Sequence, residues 1–162
     1  MGAPRVAVVG AGITDCRGRH YDRNLWDLAQ MGVAAAVKDA GIRIDDVPAA
    51  VVGLYNDIFA YQAIPENCFT GMIGMANKRL TRVTNGGATG MHALQVAYEM
   101  VASGEYPMVL CLGVEKATDP YDFQAQSPTP QVVQTIAYSW DQHFERPLGA
   151  TASDSYAQVI LA

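Results

Sequence analysis

The chain has 162 residues, carries 11 Lys and Arg against 16 Asp and Glu for a net charge of −5, and is half apolar with 17% charged residues. That length fits one domain at about 150 residues per domain. A charged fraction below the usual ~25% excludes an extended disordered chain, and the acidic balance excludes a general nucleic-acid binder, which needs clustered Lys and Arg for phosphates.

No run reaches the roughly 20 apolar residues of a membrane helix. The segment Val6–Ala11 is far shorter than a signal peptide's core and cleavage region. Cys16, Cys68 and Cys111 are odd in number and widely spaced, which predicts neither a disulfide framework nor a zinc site. A soluble α/β protein of a reducing, cytoplasmic compartment is expected, with no metal, no membrane and no nucleic acid.

In chain order, Arg5–Gly10 is a short apolar run ended by glycine and predicts a buried strand. A polar loop follows to Arg23. Asn24 then caps a helix whose Leu25, Leu28, Ala29, Val33, Ala36, Val37 and Ala40 recur at helical spacing until Gly41 stops it. Ala49–Leu54 predicts a second strand, Tyr55–Glu66 a loop, Cys68–Ala76 a short helix, and Leu80–Thr84 a third strand. Ala88–Ser103 is the clearest helix, with Met91, Leu94, Ala97 and Val101 on one stripe, and Met108–Gly113 is a fourth strand. Strands alternating with helices in this way predict a largely parallel sheet with helices on its faces.

After Glu115 the texture changes. Residues 118–130 are rich in Pro, Gln, Ser and Asp and read as a long functional excursion. Gln131–Trp140 predicts a helix, and a last helical stretch from Ser153 runs to Ala162 without a glycine cap or polar tail, as if cut in mid-helix. The division expected is 1–116 as a core and 117–162 as the start of an excursion.

Gly10-Ala-Gly12 after the first strand invites a dinucleotide-binding reading. Asp15 occupies the third glycine position, where its charge would repel a pyrophosphate, so a plain strand-ending turn is the better account. Val83-Thr-Asn-Gly-Gly-Ala-Thr-Gly90 is stronger. Its paired glycines turn the backbone sharply, and the following helix aims amide groups and its positive dipole end at that spot. Nucleophile elbows have this strand–turn–helix shape, as do tight packed turns with no chemistry.

This stretch resembles the nucleophile segment of the thiolase superfamily, Val–Asn–x–x–Cys–Ala–Ser–Gly. Val83, Ala88 and Gly90 match, and Thr89 stands for the serine. In the same order come Val6-Ala-Val-Val-Gly-Ala-Gly-Ile-Thr14, the Leu25–Gly41 helix ending Asp-Ala-Gly, Ala102-Ser-Gly104 and Gly113-Val-Glu-Lys116. The likeness is greatest to thiolases of the sterol-carrier or lipid-transfer type, and it implies the N-terminal half of a layered α/β thiolase-like fold, a βαβαβ-type mixed sheet with helices on both faces.

Two departures limit the activity the resemblance implies. Gly87 stands at the cysteine position and has no side chain to take an acyl group, and Thr84 replaces the asparagine. The family's histidines and second cysteine come from a C-terminal half absent here. The resemblance implies an enzyme portion that makes or breaks a C–C bond in an acyl-CoA thioester, acyltransferase-like in catabolism, with the CoA thioester as substrate and no bound cofactor. A branch of the superfamily also lacks the cysteine and looks like retro-aldol lyases on β-hydroxyacyl-CoA, working with a zinc-ribbon and OB-fold partner. A non-catalytic acyl-CoA-binding or scaffold subunit is the alternative from another class.

The catalytic candidates are Gly87, Thr89 and His92, the last one helical turn from the glycines. Asn85, Gly86 and Gly90 are candidates for binding substrate, and Tyr138, Trp140 and His143 for lining an acyl or ring-bearing group, with a local aromatic core as the alternative. Glu115 and Lys116 read as an ion pair that fixes a strand end. The resemblance also implies a homodimer through residues near Leu80–Thr84, so the isolated chain is expected to be inactive and to associate or aggregate.

Overall fold

The computed structural model describes residues 5–17, 20–55, 57, 64–116, 121–122 and 127–128. They fall into two compact units, 1–116 and 117–162.

In the first unit, helix α1 spans Leu25–Ala40. Asn24 Oδ1 accepts from the Asp27 amide at 2.8 Å, and Asp27 Oδ2 accepts from the Asn24 amide at 3.0 Å, a reciprocal cap over two amides that lack helical partners. Gly41 ends the helix with φ of 66°, a left-handed geometry that glycine adopts without a Cβ penalty. A 3-10 turn at Ile44–Asp46, which the apolar pattern does not announce, leads to strand β1, Ala49–Gly53. The short helix α2 spans Pro65–Phe69, β2 spans Arg79–Val83, α3 spans Thr89–Ala102 and β3 spans Val109–Gly113.

The sheet runs β2-β1-β3 and is parallel at both interfaces, with Gly53 opposite both Val83 and Gly113. All five β1 residues are buried, which is why that strand reads as a continuous apolar run. Its alternate side chains feed two cores. Ala50 and Val52 join Leu25, Ala29, Val33, Ile73 and Met75 on the α1 face, while Val51 meets Ala93 and Ala97 on the α3 face. Helices therefore cover both faces, as expected.

Three expectations are corrected. Arg5–Gly10 forms no strand: Val8 and Val9 are 80% and 59% exposed. Gly10 and the following Gly12 instead lie flush on α1, where a Cβ at Gly10 would come within 2.6 Å of the Ala36 carbonyl oxygen, and Ala11 donates its amide to Asp39 Oδ2 at 2.9 Å. A cleft of about 920 Å³ separates the segment from β3. An apolar run states a need for burial, not a ladder partner, and here the helix holds the backbone away from the sheet edge.

Second, the short helix begins at Pro65 and has ended by Thr70, not Cys68–Ala76, because proline presets its first turn and Gly74 then takes φ of 75°. Third, the buried stripe of α3 is Thr89, Ala93 and Ala97; Met91 and Leu94 point outward at 71% and 45% exposure. In the second unit Tyr121–Asp122 pairs antiparallel with Ser127–Pro128, inside what the sequence predicts as an excursion. The predicted helices at 131–140 and from 153 lie outside the described residues.

Candidate functional site

Parallel sheets bind ligands at the carboxyl ends of their strands. Here those ends are Gly53, Val83 and Gly113, in register, so the segments after them leave from one edge. The turn after β2 is held by its own atoms. Ala88 donates its amide to the Asn85 carbonyl at 2.9 Å and Thr89 to the Gly86 carbonyl at 3.2 Å. Thr89 is buried, its hydroxyl accepting from the Asn85 amide at 2.9 Å and donating to the Gly86 carbonyl at 2.7 Å. The sequence offered Thr89 as catalytic; the structure employs both hydrogen-bonding capacities of its hydroxyl in closing the turn.

Gly86 has φ of 52°, where a side chain would strain the backbone. Gly87 is different. A Cβ built there meets no heavy atom of the described residues within 4 Å, and the same is true of Gly90. The turn therefore opens onto free space at Gly87. It is also pressed close to β1, because a Cβ on Gly53 would lie 3.1 Å from Ala93 Cβ and 3.2 Å from the Thr89 carbonyl oxygen. Small residues at that crossing bring the first turn of α3 down to the strand ends.

Asn85 and His92 line a pocket of about 490 Å³ together with Ala88, Met91, Leu94, Gln95 and Tyr98. His92 Nδ1 is buried there without a hydrogen-bond partner among the described residues. Met91, Leu94 and Tyr98 follow one helix face and were missed as lining, because in sequence the same spacing reads as core. Gly90 belongs to the larger cleft bounded by residues 5–14 and β3. Tyr138, Trp140 and His143 lie outside the described residues.

The sequence also missed a charged group beside the turn. Arg82, on β2, pairs with Asp57 and with Glu66 Oε2 at 3.2 Å, and reaches the Leu54 carbonyl at 3.4 Å. Glu66 is only 8% exposed, so the guanidinium is what permits its burial. An arginine inside a predicted strand, preceded by the carboxylates of Asp57 and Glu66 in a predicted loop, was the available signal. Glu115 and Lys116 serve two different backbones. Glu115 Oε2 accepts from the Tyr55 amide at 2.7 Å, and Lys116 Nζ donates to the Arg23 carbonyl at 2.6 Å. Crowding by protein pushes the Glu115 carboxyl above its usual pKa, against the opposing pull of the Tyr55 amide and the Arg82 charge.

No thiol sits in the turn. Cys111 lies half-buried in β3, where burial raises its thiol pKa and disfavours the thiolate, while Cys16 and Cys68 are exposed on other segments. Among the described residues there is no cluster of three metal-ligating side chains, and no helix is long and apolar enough to cross a membrane.

With this geometry in place, the sequence matches the family described as thiolase, N-terminal domain, over residues 6–159. The chain belongs to the thiolase family. It is 32% identical to acetyl-CoA acetyltransferase of Methanothermobacter thermautotrophicus over 155 residues, covering 95% of this chain and 38% of that protein. It is 33% identical to human sterol carrier protein 2 over 114 residues, covering 69% of this chain and 20% of that protein. Among solved structures, the priming β-ketosynthase of the R1128 polyketide pathway aligns with a TM-score of 0.55 at 24% identity, over 69% of this chain and 33% of that one. That likeness shows the fold. The chain thus spans well under half the length of these relatives, and the thiolase-like α/β architecture expected from the sequence is the one observed.

Proposed function

We propose that this thiolase-family chain is the N-terminal portion of an enzyme that makes or breaks a C–C bond in an acyl-CoA thioester, without an acyl group carried on the β2–α3 turn. The observation that supports this is the open space at Gly87, which the resemblance puts at the nucleophile position: the turn offers no nucleophilic side chain there, and no atom of the described residues fills the vacated volume. Substrate atoms occupy that volume in this reading. Gly90 and Met91, in the first turn of α3, have amides without intrahelical acceptors, and these favour the negative charge that develops on a thioester oxygen.

A retro-aldol step fits a turn without a thiol best. A base takes the proton of the β-hydroxyl, and the resulting oxyanion collapses to a carbonyl as the Cα–Cβ bond breaks. The electron pair passes into the thioester as an enolate, which is then protonated at Cα to give the shorter acyl-CoA. His92, which lines the pocket beside Asn85 and whose buried Nδ1 has no partner among the described residues, is our candidate for handling one of these protons. We assign a homodimer contact to the neighbourhood of Leu80–Thr84, on the edge strand β2, and a zinc-ribbon and OB-fold partner to the retro-aldol reading.

The test supplies the full-length protein with a β-hydroxyacyl-CoA and a β-ketoacyl-CoA, with and without free CoA. Cleavage of the hydroxy ester to a carbonyl product and a shorter acyl-CoA, with no acylated protein by intact mass, is the expected result. Thiolysis of the keto ester with an acyl-cysteine would overturn the retro-aldol step. Binding of both esters with turnover of neither would make the chain part of a non-catalytic binding subunit.

A further inference from the structure

We propose that Thr84 and Glu115 are positioning residues, which fix the glycine turn by gripping the backbone of Tyr55 from its two sides. The inference rests on the enzymatic reading above and adds to it the residues that hold the turn in place.

The ladder of the sheet ends at Gly53, Val83 and Gly113. One further backbone bond follows on each side, from the Leu54 amide to the Val83 carbonyl at 3.3 Å and from the Val114 amide to the Gly53 carbonyl at 3.1 Å. Beyond that the strands would part, yet the side chains continue the pairing. The Thr84 hydroxyl donates to the Tyr55 carbonyl at 2.7 Å, and the Tyr55 amide donates to Glu115 Oε2 at the same distance. Arg82 closes the third point on the Leu54 carbonyl.

The consequence falls on the turn. Thr84 is the residue directly before Asn85, and Thr89 closes the turn from its other end. Thr84 is itself exposed, so packing does not hold it; its hydroxyl bond does. With that bond made, the span from Val83 to Thr89 is fixed at both ends and the space at Gly87 has a defined place relative to α3. Without it, Thr84 is a loose lead-in to Asn85, and the turn, though closed on itself through Thr89, can shift as a unit by the ångström that matters for reacting atoms. The replacement of the family's asparagine by Thr84 thereby acquires a physical role.

The experiment compares full-length wild type with Thr84→Val, Thr84→Ser, Glu115→Ala and Glu115→Gln, reading amide hydrogen exchange in a peptide spanning residues 53–57 and turnover of the CoA ester that the wild type cleaves. Thr84→Val and Glu115→Ala are expected to speed exchange about fivefold, the loss of one hydrogen bond. They are also expected to lower kcat about tenfold with KM within about twofold, since only the placement of reacting groups changes. Thr84→Ser and Glu115→Gln keep a donor and an acceptor and restore both readouts. Wild-type exchange in Thr84→Val, or exchange that moves without any change in kcat, overturns the proposal. A wild type that turns over no CoA ester while the exchange pattern holds would overturn the enzymatic reading and leave the grip on Tyr55 standing.

Discussion

Helices α1 and α3 cover opposite faces of one three-stranded sheet, but they do so with different materials. The α1 face buries Leu25 and Val33 against Val52, Leu54 and Met75. The α3 face buries little more than Ala93 and Ala97 against Val51, while Met91, Leu94 and Tyr98 face outward. Large side chains hold a helix to a sheet by area; small ones hold it close. The α1 face supplies stability, and the α3 face supplies approach, bringing the first turn of the helix and the glycines before it onto the strand ends.

The contrast is broken most directly by Leu54→Ala, which removes a fully buried side chain and should cost about 2–5 kcal/mol in chemical denaturation. Leu94→Ala, the same chemistry on the outward face of α3, should cost well under half of that; equal losses would erase the distinction. Gly53→Val would overfill the crossing between β1 and α3 and should cost about 1–3 kcal/mol. Thr89→Val leaves the Asn85 amide without its acceptor and removes one of the two donors to the Gly86 carbonyl, and should cost about 1–2 kcal/mol, with Thr89→Ser recovering most of it.

The smallest expected effect concerns pH. The Glu115 carboxyl has its folded-state pKa raised, so the folded protein holds that proton to a higher pH than the unfolded chain does. Stability from this group is therefore complete below the unfolded value and declines as pH rises from there through the folded pKa. Glu115→Gln should raise the midpoint of thermal unfolding more at pH 7 than at pH 4. An increase of the same size at both values would contradict the assigned direction.

The ends of α1 and the chain order of β1, β2, α3 and β3 were legible in sequence because local chemistry settles them. Asn24 and Gly41 frame α1 without help from distant residues, and β1 has to be apolar throughout because both of its faces are covered. The turn was legible too, since Gly86 and Gly87 stand between a strand and a strong helix. What failed depended on a choice among partners. Val6–Gly10 has a strand's composition, but contact of Gly10 and Gly12 with α1 decided where it lies. The stripe on α3 could be drawn through Met91 and Leu94 or through Ala93 and Ala97, and only the close approach at Gly53 selects the second. The bonds from Thr84 and Glu115 to Tyr55 join residues 29 and 60 positions apart, a separation that no local pattern reports.

The central claim is that substrate occupies the space above Gly87, and Gly87→Ala tests it most directly. The added methyl meets no heavy atom of the described residues within 4 Å, so their packing has no reason to change. Turnover of a CoA thioester by the full-length variant is predicted to fall about tenfold or more while its unfolding midpoint stays within about 1 °C of wild type, an outcome that places substrate at that point. Wild-type turnover in a normally folded Gly87→Ala protein would contradict it and put the chemistry elsewhere.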